Sequence, residues 1–214
     1  MTGEEYKKFS AQFKVTDPNI YDVSGNIVDS VVAKKMIRTY EYEMSVHSIE
    51  GGGAKRVIHK VDHVLYARMD KETMLTHHPN SEKLQEGVTL DLNPLANRTD
   101  LSKLDGKAIV LIFWKPQYRG MYAQVNEVIE DFIGTNKFDV FAITHLSYDA
   151  ANEYLKKYPI NAHQVIDAPG IVDFYGIDDE PVIVITNAQH QITYSIKGSV
   201  ALIARTLHKA LKEL

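Results

Sequence analysis

The chain has 214 residues, 24 basic against 28 acidic side chains for a net charge of −4, 44% hydrophobic residues and no cysteine. Such a balance lacks the basic stripe that nucleic acid demands. The longest apolar run, Ala108 to Trp114, falls well short of the ~18 to 20 residues of a membrane helix, and without cysteine there is no thiolate nucleophile and no resolving thiol anywhere in the chain.

A length of this order accommodates one large domain, or a core of roughly 100 to 150 residues with an appended region, and the second arrangement is expected here. Residues 1 to about 15 carry Tyr6, Phe9 and Phe13 at helical spacing among lysines, which predicts a short amphipathic helix closed by Asp17-Pro18. Met1 to Lys8 holds no apolar core of a secretory signal, a pattern that fits a cytoplasmic protein or the mature part of an exported one. Asn19 to Val28 reads as a hairpin turning at Ser24-Gly25-Asn26, and Asp29 or Ser30 as the N-cap of a short helix through Met36.

Tyr40 to Ile49 alternates in the manner of a strand. Gly51-Gly52-Gly53 lacks the Lys-Ser/Thr of a phosphate loop and reads as a turn. Arg56 to Tyr66 is predicted to be the returning strand, which makes an accessory hairpin carrying Tyr40, Tyr42 and Tyr66. Those tyrosines pack across strands or, facing outward, mark a protein interface. On that strand His59 and His63 would share a face but stand roughly 13 Å apart, too far for one zinc ion, and His77-His78-Pro79-Asn80 is expected in an exposed loop without a third ligand. No metal and no cofactor is expected.

From Leu75 to Lys107 the chain is polar with short apolar pairs near Asn93-Pro94, and Asp105-Gly106-Lys107 turns it into the buried strand ending at Phe113-Trp114. A helix over Gly120 to Ile133 turns Val125, Val128, Ile129 and Phe132 inward and stops at Gly134-Thr135-Asn136. Phe138 to Thr144 is the next buried strand, Asp149 caps a helix through Tyr158, His163 to Ile166 is a short strand, and Pro169 to Tyr175 is one or two helical turns. Pro181 to Thr186 and Gln191 to Lys197 form a strand pair, and a helix from Ser199 to Leu214 closes the chain. Strand and helix alternate before two adjacent strands, which indicates an α/β fold with a mixed sheet and helices on both faces.

Leu104-Asp-Gly-Lys107, Phe113-Trp114, Asp173-Phe-Tyr-Gly-Ile177 leading to Pro181, and the strand pair over Asn187 to Gly198 resemble the thioredoxin-like proteins of the TlpA/ResA type, related to the alkyl hydroperoxide reductase and thiol-specific antioxidant group. The resemblance covers residues 86–214 and implies a thioredoxin-like mixed β-sheet flanked by helices, with residues 1–85 as an N-terminal α+β extension. It places Tyr118 and Met121 where the family carries its two active-site cysteines, so the tetrad reads Tyr118-Arg119-Gly120-Met121. It also places Pro181 at the family's cis-proline, preceded here by Glu180 rather than a small residue or threonine. A periplasmic or cell-envelope location is implied by the family, with the cytoplasm left open.

Because a phenol and a thioether cannot perform thiol-disulfide exchange, neither oxidoreductase nor peroxidase activity is expected. The expected site is instead a remnant groove of Trp114, Gln117, Tyr118, Arg119, Met121, Glu180 and Pro181, with Lys115 nearby, that binds a protein or peptide partner. Two readings stand beside it: a decayed site filled by ordinary surface residues, and a thioredoxin-fold enzyme with a non-thiol mechanism. Glu180 could close the groove by pairing with Arg119, or stand in solvent. A purely structural or docking role in the envelope is the third possibility.

Overall fold

The computed structural model describes residues 13–178, 181–198 and 203–214, so all but the end of the helix expected over residues 1 to about 15, and the start of the last helix at 199–202, lie outside the described residues. The chain divides into two compact units, residues 1–68 and 69–214.

In the first unit, strands β1 (Val15–Tyr21), β2 (Ile27–Val28), β3 (Tyr42–Ser48) and β4 (Ala54–Lys60) form one sheet in the order β2-β1-β4-β3. The first two make the expected hairpin, with Asp22 Oδ1 accepting from the amides of Ser24 and Asn26 at 2.8 and 2.9 Å. Asp17-Pro18 does not end a helix. It lies inside β1, where the parallel register to β4 is irregular between Val15 and Ile20, a place where a residue without an N–H does least harm. Gly53 sits at φ +84°, and a Cβ there would collide with the Thr16 side chain, so both backbone angle and space require glycine.

Helix α1 (Ser30–Arg38) follows the hairpin, capped by Asp29, whose Oδ1 accepts from Val31 and Val32 amides. Its Ala33 packs with Ile20 and Ile58 to form a small core, flanked by Val28, Met36, Ile37 and Tyr42.

The strand expected to run to Tyr66 stops at Lys60. Asp62 Oδ1 accepts from the amides of Val64 and Leu65 at 3.0 Å each, which is an N-cap, and α2 begins at His63 and runs to Thr76. His59 and His63 therefore do not share a strand face. Each faces a different carboxylate, His59 that of Glu43 at 3.8 Å and His63 that of Glu41 at 3.1 Å, and Tyr66 donates from α2 to Glu43.

In the second unit, β5 (Ala108–Phe113), β6 (Phe138–Ile143), β7 (His163–Val165), β8 (Val182–Thr186) and β9 (Ile192–Lys197) are ordered β7-β6-β5-β8-β9. Strands β5, β6 and β7 are parallel, β8 runs against β5, and β9 runs against β8. Helices α3 (Arg119–Phe132) and α4 (Tyr148–Lys157) make the crossovers that parallel neighbours need. Helix α5 (Pro169–Phe174) precedes the β8–β9 pair, and α6 (Ile203–Lys212) packs on α3. Four strands in the order β6-β5-β8-β9 with β8 reversed, fed by βαβ and closed by a hairpin and a helix, are the thioredoxin-like arrangement. The expected fold class holds.

All six residues of β5 are buried, the mark of a central strand covered on both faces. Ile109, Leu111 and Phe113 join one cluster with Phe141, Ile143, Val172, Tyr175, Val182 and Val184, while Val110 and Ile112 point to the opposite face. The same cluster takes in Leu84, Leu90, Leu95 and Leu104, so the polar-looking stretch from Leu75 to Lys107 contributes core. Its short 3-10 turns place Leu84, Leu95 and Leu104 inward, and the His77 to Asn80 segment is no exposed loop: Pro79 is buried and the His77 carbonyl accepts from the Lys197 amide at 2.5 Å. The expected Asp149 cap shifts as well. Ser147 holds the N-cap position of α4 without a side-chain bond, and Asp149 lies in the first turn.

At the end of β8 a side chain takes over the ladder: the Ile109 amide donates to buried Thr186 Oγ1 at 2.9 Å. Thr186→Val keeps the shape and removes the acceptor, leaving a buried N–H unpaired, and should cost about 1–3 kcal/mol in urea unfolding with an unchanged m-value. A loss below a few tenths would show that the bond contributes nothing.

Candidate functional site

Strand β5 delivers the site. Its ladder extends past Phe113 through the Trp114 amide, which donates to the Ile143 carbonyl at 3.0 Å, and fixes the indole at the end of the central strand. Trp114 is 0% exposed. Its ring stacks on Tyr154 of α4, centroids 5.3 Å apart and planes 28° from parallel, and meets Tyr122 of α3 edge-on at 6.4 Å.

Tyr122 holds the next residue by its backbone, its hydroxyl accepting from the Lys115 amide at 3.1 Å and donating to the Lys115 carbonyl at 3.2 Å. Pro116–Tyr118 then makes a 3-10 turn, which suits a proline of fixed φ, and α3 starts at Arg119 with Tyr118 in the N-cap position, offering no side-chain bond to the free amides.

The aromatic contacts continue to the surface. Tyr154 packs on Tyr158 with centroids 5.3 Å apart, and Arg119 lies over the Tyr158 ring with Cζ 5.5 Å from its centre while Nη1 donates to the Tyr158 hydroxyl at 3.0 Å. Lys115 Nζ stands 5.9 Å over the Tyr118 ring. One helical turn further on, Asn126 donates to the Pro159 carbonyl at 2.7 Å and accepts from the Asn161 amide at 3.0 Å, tying α3 to the segment after α4.

The expected site residues are thus sorted by depth. Trp114, Met121 and Pro181 are buried, Gln117 and Arg119 are exposed, and Tyr118 is half-buried; Glu180 lies outside the described residues. Pro181 belongs to the same end of the sheet, since Val182 pairs with Phe113 and the next step of that register sets Pro181 at the level of Trp114. Its carbonyl accepts from the Gly198 amide at 2.8 Å. The residues sequence reasoning missed are Tyr154 and Tyr158, whose spacing of four on a helix was visible but whose partners, Trp114 and Arg119, are distant in the chain.

Burial raises the Tyr154 phenol pKa, Tyr158 raises it further, and Arg119 pulls it down. Tyr154 Oη and Trp114 Nε1 are buried without a hydrogen-bond partner among the described residues, each costing roughly 1–3 kcal/mol. No group of three His, Cys, Asp or Glu is arranged for a metal ion among the described residues. An open hollow of about 700 Å³ in the same unit is lined by other residues, among them Asn93, Arg98, Asp167, Pro169 and Phe174. What the tetrad's end offers chemically is two cations held on aromatic faces over an aromatic base.

No known protein family matches the chain, and no curated protein is similar to it in sequence. Solved structures that are similar include a secreted Mycobacterium tuberculosis disulfide oxidoreductase homologous to E. coli DsbE, 22% identical, covering 54% of this chain and 88% of its own with a TM-score of 0.47. A putative thiol:disulfide interchange protein DsbE from Chlorobium tepidum is 18% identical over 53% of this chain and 83% of its own, TM-score 0.47. A thiol-disulfide oxidoreductase from Bacteroides fragilis is 18% identical over 51% and 82%, TM-score 0.44. These neighbours are thiol-disulfide oxidoreductases by name; this chain, with its thioredoxin-like strand order, has no cysteine.

The purified protein is therefore expected to reduce insulin disulfides and consume hydroperoxide at the no-protein blank rate. Turnover above the blank in a thiol-free preparation would overturn the assignment of the tetrad as redox-silent.

Proposed function

We propose that this protein is a redox-inactive thioredoxin-like protein, with residues 1–85 as an extension and 86–214 as the thioredoxin-like domain, that binds a protein or peptide partner through the former active-site end. The rim of that site is Lys115, Gln117, Tyr118 and Arg119, with Tyr158 at the C-cap of α4. Trp114, Met121 and Pro181 act beneath it as support.

The observation that carries this reading is the double hold on Arg119, whose guanidinium is hydrogen-bonded to the Tyr158 hydroxyl and seated on the same ring. An exposed arginine normally loses considerable rotamer freedom when it binds. Here that freedom is already restricted, so more of the contact energy remains as affinity. Tyrosine and arginine are also the residues that dominate binding energy at protein interfaces. Lys115 over Tyr118 repeats the pairing one turn earlier, and the start of α3 adds the positive end of a helix. Such a surface favours a partner segment bearing carboxylates.

Selection of a displayed random peptide library on the wild-type protein tests this. Enriched peptides should be rich in Asp and Glu, and Tyr118→Asp/Arg119→Glu, checked for unchanged circular dichroism and melting, should bind them at least tenfold more weakly, about 1.4 kcal/mol. Equal binding by both proteins would place recognition elsewhere.

A further inference from the structure

The outer side of β3 is unlike every other sheet edge described. Strands β2 and β7 have only two and three residues. The edge of β9 is engaged at both ends, by Gly87 N–H to Ile192 O, Ile192 N–H to Val88 O and Leu90 N–H to His190 O, each at 2.8 Å, and by Lys197 N–H to His77 O. β3 is seven residues long, is last in the order β2-β1-β4-β3, and pairs with β4 at every position without a bulge. It contains neither proline nor lysine, the devices that usually blunt an exposed edge.

The ladder shows which groups face outward. Val61 N–H donates to Glu41 O and Ile49 N–H to Gly53 O, both at 3.0 Å, so the odd-numbered residues of β3 bond to β4. The N–H and C=O groups of Tyr42, Met44, Val46 and Ser48 then point away from it. Met44 and Val46 are 37% and 39% exposed.

We propose that this edge pairs with the same edge of a second copy of the chain, antiparallel about a two-fold axis at Ser45, joining two four-stranded sheets into one of eight. Charge complementarity selects the register. With Ser45 opposite its own copy, Glu43 of each chain faces His47 of the other, Met44 faces Val46, and Tyr42 faces Ser48, an isologous contact as two-fold symmetry requires. Moving the axis to Glu43 opposes two carboxylates, which is unfavourable. Moving it to Met44 or Val46 leaves Glu43 against Ser45 or Ile49. Glu43 is already positioned, accepting from Tyr66 and standing 3.8 Å from His59, and His47 Nε2 shares a hydrogen bond with Ser45 Oγ at 2.8 Å on the same face.

Because the chain has no cysteine, single introduced thiols read the register without background. Ser45→Cys would place two copies in a non-hydrogen-bonded pair with Cα atoms about 4.5 Å apart, within disulfide reach of ~4.4–6.8 Å. Ser48→Cys would place its two copies six positions apart, roughly 20 Å. Under mild oxidation of the full-length chain, Ser45→Cys should form covalent dimer at least tenfold faster than Ser48→Cys, and the wild type should sediment with a concentration-dependent dimer fraction. Adding Val46→Pro to Ser45→Cys removes an outward N–H and no β3–β4 bond, so the variant should stay folded by circular dichroism and lose the cross-link. Equal cross-linking of the two cysteine variants, or a wild type monomeric at every concentration, would overturn the proposal. So would a dimer that appears only after deletion of residues 1–12, since the chain's own N-terminus would then be the occupant of the edge.

Discussion

The stacking of Trp114 on Tyr154 joins the end of the central strand to the crossover helix beside it, and the site is organised around that contact. Strand β5 is buried on both faces, so its last residues cannot shift without disturbing the core. The indole that follows inherits that rigidity and passes it along: to α3 through Tyr122, which clamps Lys115, and to α4 through Tyr154 and then Tyr158. Arg119 is the outermost member of the series.

Magnitudes separate the inner and outer parts of this series. Aromatic pairs contribute about 0.5–1.5 kcal/mol beyond their burial, and a fully buried large side chain adds about 1.5–3 kcal/mol by leaving water. Together these offset the unpaired Trp114 Nε1 and Tyr154 Oη, each of which costs about 1–3 kcal/mol. At the exposed end the balance is different. A cation on an aromatic face in water is worth about 0.5–1 kcal/mol, too little to matter for folding but enough to narrow the orientations of one guanidinium. The consequence of the series at the surface is order rather than stability, and order is what the proposed recognition surface would use.

Much of the second unit was legible because its signals are local. The unbroken apolar run of β5, the stripe of Val125, Val128 and Ile129 on α3, and the paired strands β8 and β9 each state their own structure. Helix α2 was hidden by Val61, Val64 and Leu65, which prolong the strand pattern of β4; the cap at Asp62 was the contrary signal, and the exposed Val64, Leu65 and Leu75 leave no apolar stripe to reinforce it. The leucines between 84 and 104 looked like loop because they stand singly or in short apolar pairs within a polar stretch, and only the sheet they cover makes them core. The site shows the same division. The expected tetrad rests on the local sequence around Phe113-Trp114, whereas the contacts with Tyr154 and Tyr158 depend on a crossover that brings residues some 40 positions apart together, which no local pattern encodes.

NMR relaxation of the Arg119 Nε–H bond in the free protein measures directly whether the aromatic series holds Arg119 in place before any partner arrives. An order parameter approaching that of rigid backbone, about 0.85, which falls in Tyr158→Leu, is the result predicted. A value below about 0.6 in the wild type would contradict it, since the guanidinium would then be no more ordered than a freely moving surface side chain.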